Sequence, residues 1–353
     1  LMLLCFLIPL IINDETLNTY SFTDFSILRN YGKLSEESFI KLVDSIHLIR
    51  MNTIHKKNNS VSKKFLELET YSLLIDKCIV LSNYETIHGM FTQNKDFKVS
   101  STFPALYKEN LILDDKYLLV PNYLDFLDYW LRPYMMDFYN ENPKGDYLSK
   151  YIEIVNDKVT GTKIKEALVY TNTLTFLGTT KELEAVYPKI KALVKQATLI
   201  EELDLIYEKL KLVSPGKPSP TFRFQDINGE YVSLESLKGK VVYIDIWATW
   251  CGPCIQEIPY LKTLVDTFKQ DEIYFVSICK SDTKESWKKV VKSKNLGGIQ
   301  LFAAANEVSF FESYQVNGIP YFILLDKEGN IIEKNTDRPS DPELINRIKD
   351  LLK

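Results

Sequence analysis

The sequence predicts an α/β fold at the C-terminus, preceded by a mostly α-helical domain. Three observations predict it. From about Thr16 to Leu212 apolar residues recur at helical spacing. Val213-Ser-Pro-Gly-Lys-Pro-Ser-Pro220 then sets three prolines and a glycine where no helix can continue. Beyond it, short apolar runs rich in β-branched residues alternate with amphipathic segments, as strands alternate with helices. The expected organisation is therefore a segment 1–15, a helical domain 16–212, a linker 213–220 and an α/β domain 221–353.

The C-terminal half is organised around Val241-Val-Tyr-Ile-Asp-Ile-Trp-Ala-Thr-Trp-Cys-Gly-Pro-Cys254. Its first residues form a continuous apolar run, the mark of a strand buried on both faces. Ile255 to Phe268 then resumes at helical spacing, so the strand delivers Cys251 and Cys254 to the first turn of a helix. The free N–H groups and positive dipole end there favour a thiolate at Cys251. Cys254, along the same turn, is close enough to close a disulfide with it.

Trp250-Cys251-Gly252-Pro253-Cys254 resembles the signature of the thioredoxin superfamily. The resemblance implies an α/β thioredoxin-like fold, a central mixed sheet flanked by helices, and several further roles. Asp245 lies inside the apolar strand, where an ionised carboxylate is costly. Members of the superfamily carry a buried Asp there that accepts the proton of the second cysteine; the alternative is an Asp on an exposed strand face. Val316-Asn-Gly-Ile-Pro-Tyr-Phe-Ile-Leu-Leu325 resembles the cis-proline loop and its strand, so Pro320 is expected to face the disulfide. Backbone groups around Ile319 and Pro320 are expected to hold a client strand, with Trp250, Gly252, Pro253 and Tyr321 lining its path. Pro259 matches the kink proline of the helix.

The prefix Thr221 to Phe224 and Tyr231 to Ser233, joined through Asp226-Ile-Asn-Gly229, reads as a hairpin. After a strand Ile273 to Ile278 come a helical segment, Lys284 to Lys294, and a short strand near Gln300 to Ala303. Lys327-Glu-Gly-Asn330 reads as a hairpin turn and Pro342 to Leu352 as the closing helix. These additions resemble the TlpA/ResA-like extracytoplasmic thiol–disulfide oxidoreductases over roughly Ser214 to Lys353. The helical half shows only a loose likeness to multidomain members.

What that resemblance implies is a reductase or isomerase of client protein disulfides, recharged by a membrane thiol electron donor, with no cofactor and no metal. Cys251, expected nearer solvent, attacks the client; Cys254, expected more buried, resolves the mixed disulfide with help from Asp245. Gly-Pro between the cysteines is that of thioredoxin, at roughly −270 mV, not of a strong oxidant. Tyr321 departs from the Thr common in relatives, and Glu257 matches an acidic residue common just after the second cysteine; a favourable charge in the first helical turn is its other reading. Cys279 is either a third redox thiol or a half-buried bystander. The competing functions are a thiol peroxidase acting through Cys251 and a non-enzymatic binding or assembly protein working through the helical domain.

Composition bounds the rest. The chain has 353 residues, too many for one such domain, and a net charge of −4 with no basic block, which argues against nucleic acid as partner. Five cysteines are too few for a disulfide scaffold, and no second ligand pair accompanies Cys251 and Cys254 as a zinc site would require. Leu1 to Ile12 is an apolar run of signal-peptide length, too short to span a bilayer. An export signal or its remnant is expected there, hence an extracytoplasmic or periplasmic location, with anchoring at the N-terminus open and lipidation at Cys5 disfavoured by its bulky neighbours.

Within the helical half, Leu34-Ser35 followed by Phe39 reads as a staple around an N-cap, and Phe39, Leu42, Val43, Ile46 and Ile49 mark one face. Cys78 is in register with Leu74 and Leu81 as a core filler. A helix from Asn122 to Tyr139 is expected to break near Arg132-Pro133. Thr179-Thr-Lys-Glu182 and Thr198-Leu-Ile-Glu201 read as capping boxes. His47, His55 and His88 are assigned no catalysis. The aromatic residues either fill a helical core or line a groove for a polypeptide or a homodimer contact.

Overall fold

The computed structural model describes residues 31–56, 61–94, 96–268 and 273–353. The apolar run at the N-terminus lies outside the described residues. Two compact units are present: residues 1–145 with 150–169, and residues 146–149 with 170–353.

In the first unit the described elements are α1 (Glu36–Lys56), α2 (Lys63–Thr92), the single turn α3 (Leu106–Glu109) and α4 (Tyr123–Glu141). The helix α5 (Tyr147–Lys158) and the helix α6 (Thr162–Phe176) each contribute residues to both units. Phe39 and Val43 of α1 pack on Val80, Leu81 and Tyr84 of α2, with Leu34 against the same cluster. Tyr84 stacks on Phe39 and on Phe103. Cys78 is a buried core residue. Ile49, assigned to the buried face, is instead exposed. The expected break at Pro133 does not occur: α4 runs through it.

The second unit holds α7 (Leu183–Leu193), α8 (Ala197–Lys211) and the whole α/β region. Neither capping box forms. Thr198 sits inside α8, and α7 starts after Glu182 with no side-chain cap. Thr180 instead accepts from the Glu182 N–H and donates to Asp146.

Seven strands form one mixed sheet in the order β2-β1-β5-β4-β3-β6-β7. They are β1 (Arg223–Asp226), β2 (Tyr231–Ser233), β3 (Val241–Trp247), β4 (Ile273–Cys279), β5 (Ile299–Phe302), β6 (Tyr321–Leu325) and β7 (Ile331–Lys334). The central β3 runs parallel to β4 and antiparallel to β6, and all seven of its residues are buried, as its apolar run requires. Helices α9 (Gly252–Phe268), α10 (Lys284–Ser293), α11 (Ser309–Ser313) and α12 (Pro342–Leu351) complete it. α11 falls between the strand expected near Gln300 to Ala303 and the cis-proline loop, where no helix is expected from sequence.

Side chains alternate along β3. Val241 and Tyr243, with Phe322 and Leu324 of β6, pack under Leu261, Leu264 and Phe268 of α9 and Leu344 and Ile348 of α12. Each such side chain contributes roughly 1.5–3 kcal/mol on burial. On the opposite face lie Ile244, Ile246, Tyr321 and Ile323.

The expected linker is not free. The Gly216 N–H donates to the Ile331 carbonyl at 2.7 Å, the Ile331 N–H to Lys217 at 2.8 Å, and the Tyr314 hydroxyl to Ser219 Oγ at 2.7 Å. Residues 213–220 therefore line an edge of the sheet, and the compact units divide near residues 169 and 170 instead. Proline removes donors, and the docking bonds accordingly use the residues between the prolines, Gly216, Lys217 and Ser219.

Candidate active site

β3 ends at Trp247, and a turn closed by the Cys251 N–H on the Ala248 carbonyl leads into α9. Cys251 and Cys254 form a disulfide across the first turn of that helix. The Cys254 N–H points at Cys251 Sγ at 3.2 Å, one of the orphan donors of a helix start directed at sulfur. A donor and a helix dipole so placed favour a thiolate over a thiol.

The expected contrast in exposure is absent. Cys251 and Cys254 are each 4 % exposed. Gly252 and Pro253 are exposed and Trp250 is 65 % exposed, so the disulfide lies just beneath an accessible rim.

Opposite the disulfide, the Ile319–Pro320 peptide is cis, and the Ile319 carbonyl oxygen is 3.7 Å from Cys251 Sγ. Gly318 is exposed, and Ile319 and Pro320 are half-buried. Tyr321, expected among the client-lining residues, is 2 % exposed; its hydroxyl donates to the Gly178 carbonyl at 3.2 Å. As the first residue of β6 it is turned into the sheet face opposite α9, where an aromatic ring finds apolar cover.

Asp245 sits on β3 on the face that carries Tyr243 and Trp247, and Trp247 packs in one cluster with Cys251 and Cys254. It is 9 % exposed. Burial pushes its carboxyl up to about 7; a Ser277 hydrogen bond opposes the shift and the Glu257 charge adds to it. The exposed-face alternative is thereby excluded. Glu257, on α9, is buried and accepts from both the N–H and the hydroxyl of Ser340, at 2.9 and 3.0 Å. It is an interior carboxylate, not a solvated charge at a helix start.

Residues 280–282 were not singled out by sequence. The Asp282 carboxylate accepts the Thr249 N–H at 2.7 Å, and the Ser281 carbonyl accepts the Trp250 indole N–H at 2.9 Å. The Lys280 N–H donates to the Trp247 carbonyl, and its ammonium to the Val316 carbonyl at 3.3 Å. This short loop thus ties the cysteine turn to the cis-proline loop. Ser281 has φ of 55°, unusual for a residue other than glycine; it is the one local signal, and it is invisible in sequence. Cys279 is fully buried, and burial together with Asp282 pushes its thiol well above the usual range, the condition of an inert core thiol.

A disulfide-forming pair at a helix start, facing a cis-proline at the head of an antiparallel strand of a mixed sheet, defines a thioredoxin-like oxidoreductase. The Redoxin family profile matches residues 214–350. ResA, a thiol-disulfide oxidoreductase of Bacillus cereus, is 32% identical over 129 residues, covering 36% of this chain and 70% of that protein. The Bacillus subtilis protein of the same name is 29% identical over 121 residues, 34% of this chain and 66% of that one. Among solved structures, the thioredoxin domain of a thiol-disulfide oxidoreductase from Bacteroides vulgatus is 30% identical. It covers 40% of this chain and 99% of that one, with a TM-score of 0.37. A thiol:disulfide interchange protein from Bacteroides sp. is 29% identical, covering 40% and 91%, with a TM-score of 0.37. The chain belongs to the ResA-like thiol-disulfide oxidoreductases, a family of enzymes.

Proposed function

We propose that the Cys251–Cys254 pair reduces, or isomerises, disulfides in client proteins outside the cytoplasm and is recharged by a membrane thiol electron donor. The observation that carries this reading is the Cys254 N–H aimed at Cys251 Sγ; a buried carboxyl pushed up to about 7, Asp245 on the strand leading to the cysteines, supports it.

The Cys251 thiolate attacks one sulfur of the client disulfide, forming a mixed disulfide and releasing the other client sulfur as a thiolate, which takes a proton from solvent. Cys254 then gives its proton to the Asp245 carboxylate and attacks Cys251 Sγ. The enzyme disulfide forms, and the second client thiol leaves. Two electrons pass from the dithiol to the client. A carboxylate near pKa 7 accepts a thiol proton at neutral pH far better than an ordinary Asp. The client strand runs along Gly318, Ile319 and Pro320 beneath Trp250. Gly-Pro between the cysteines favours the reducing direction. No described helix is long and apolar enough to cross a membrane.

Insulin-disulfide reduction by the wild type and by Cys251→Ser tests the reading. Turnover that persists in Cys251→Ser, or a wild type that consumes peroxide and leaves insulin intact, overturns it. Trapping on Cys254→Ser identifies the clients.

A further inference from the structure

We propose that the turn Leu174–Lys181 is a backstop that holds the cis-proline loop in register for a docked client strand, with Asn317 and Gly178 as positioning residues. The proposal rests on the reading of the clients as protein disulfides.

This one turn holds the loop before Pro320 at Asn317 and the strands that follow the proline at further points. The Asn317 side-chain amide donates to the Leu174 carbonyl at 2.9 Å. The Tyr321 hydroxyl donates to the Gly178 carbonyl, and the Asn335 amide, just beyond β7, to the Thr179 carbonyl at 3.0 Å. Lys181 pairs with Glu333 of β7 at 2.8 Å. Asn317 and Tyr321 flank the cis peptide on either side, so the loop cannot shift along the turn without breaking both bonds.

Between these bonds the two backbones touch. A Cβ on Gly178 would lie 2.7 Å from the Gln315 carbonyl oxygen, 3.1 Å from Gln315 Cβ and 3.4 Å from the Tyr314 carbonyl oxygen. The closest of these atoms is backbone and cannot swing aside. Gly178 does not have a left-handed φ, so alanine is acceptable to its own backbone and the whole effect of a methyl falls on the neighbouring loop. Lys280 holds the same loop through Val316 from the β4 side. The loop is thus clamped between two supports, and its remaining side carries the Ile319 carbonyl towards Cys251. A client strand needs that edge at a fixed distance from the sulfur, whereas a small disulfide needs only the sulfur.

The test compares the wild type, Gly178→Ala and Asn317→Ala by two rates and a melting temperature. The rates are insulin reduction and reaction of reduced Cys251 with dithiobis(nitrobenzoate). The expected result is a loss of about tenfold in kcat/KM for insulin in Gly178→Ala, with a smaller loss in Asn317→Ala, since small displacements at a reacting site are costly. The small-disulfide rate should stay within about twofold, because it needs no docked strand. Unchanged insulin kinetics in both variants overturns the proposal. So does a parallel fall of both rates with the melting temperature, which is what a merely structural contact gives. If Gly178→Ala does not fold, Asn317→Ala, at an exposed position, still decides. A wild type that reacts with the small disulfide and ignores insulin refutes the protein-client reading and the backstop with it, and that failure is seen without any variant.

Discussion

Replacing Asp245 by Asn removes one ionisable group from the covered face of β3 at nearly constant volume. In the folded protein the carboxyl titrates at about 7, against 3.8 for the free group. That difference is about three pKa units, or about 4 kcal/mol between the protonated and ionised forms. The folded value lies above the unfolded one, so in between the native state holds a proton that the unfolded chain has released. The stability contributed by the neutral acid is complete below the unfolded pKa and is lost as pH rises through about 7. Relative to Asp245→Asn, the wild type should therefore lose about 4 kcal/mol between about pH 4 and pH 8, at up to about 1.4 kcal/mol per pH unit. Urea unfolding of the oxidised proteins across that range measures it. A stability difference that stays constant with pH would falsify the buried, neutral Asp245.

The same variant has a kinetic signature. Asn cannot take the Cys254 proton, so the mixed disulfide should accumulate in stopped-flow traces while the first attack keeps its rate. Equal slowing of both steps, or of neither, makes Asp245 a structural residue.

Three other outcomes are expected. Alkylation of the reduced protein near neutral pH should label Cys251 before Cys254, because the Cys254 N–H and the helix start stabilise the Cys251 thiolate; the reverse order in a mass-spectrometric map means the nucleophile is misassigned. Asp282→Ala removes the acceptor of the Thr249 N–H and should cost about 1–3 kcal/mol of stability, with faster amide exchange at Thr249 in particular; exchange unchanged there shows that the turn is held otherwise. A fragment from Ser214 should fold, since the family unit spans 214–350, but melt below a fragment from Thr162 that keeps the turn bonded to Asn317, Tyr321 and Asn335; identical melting temperatures show that these bonds add nothing.

The cysteine turn and the central strand were legible because two cysteines at a fixed spacing interrupt a strong periodic pattern; the cis-proline was legible only through the resemblance of its loop to the thioredoxin superfamily. The rest of the site lacks such marks. Asn317 and Tyr321 each find their partner 143 residues away in the chain, and the partner is a backbone carbonyl, which every residue possesses. No spacing or composition announces that contact, so the helical residues 170–212 read as part of a separate domain. Tyr321 was misread for a related reason: strand alternation sends it to one face or the other, and only the covering turn shows that this face is buried. Glu257 has the sequence context of a solvated first-turn acid; the serine that bonds it, exposed Ser340, comes from the far end of the domain. The capping boxes failed because the pattern Thr-x-x-Glu also fits positions within or just before a helix, and Thr180 found Asp146 instead. Pro133 is tolerated in α4, where a helix otherwise supported by buried Phe126, Leu127, Leu131 and Met135 carries it through.

Equal burial of Cys251 and Cys254 changes what must distinguish them. Exposure cannot choose the nucleophile, so the choice falls to electrostatics and to the approach of the client. Electrostatics favours Cys251: both cysteines pack in the cluster of Trp247, but it is the Cys251 sulfur that faces the Cys254 N–H. Approach favours the same atom, because the Ile319 carbonyl that borders the client path lies beside Cys251 Sγ. On the proposed client reading, a strand laid against Gly318 and Ile319 would present its disulfide to Cys251 first, and Cys254 would be reached only through the mixed disulfide. The order of the two steps then depends on how far the cis-proline loop stands from the helix start. That distance is set by Lys280 on one side and by Asn317 against Leu174 on the other. Both supports lie outside the Cys-Gly-Pro-Cys stretch, so on the proposed reading those four residues alone would not fix the choice of client.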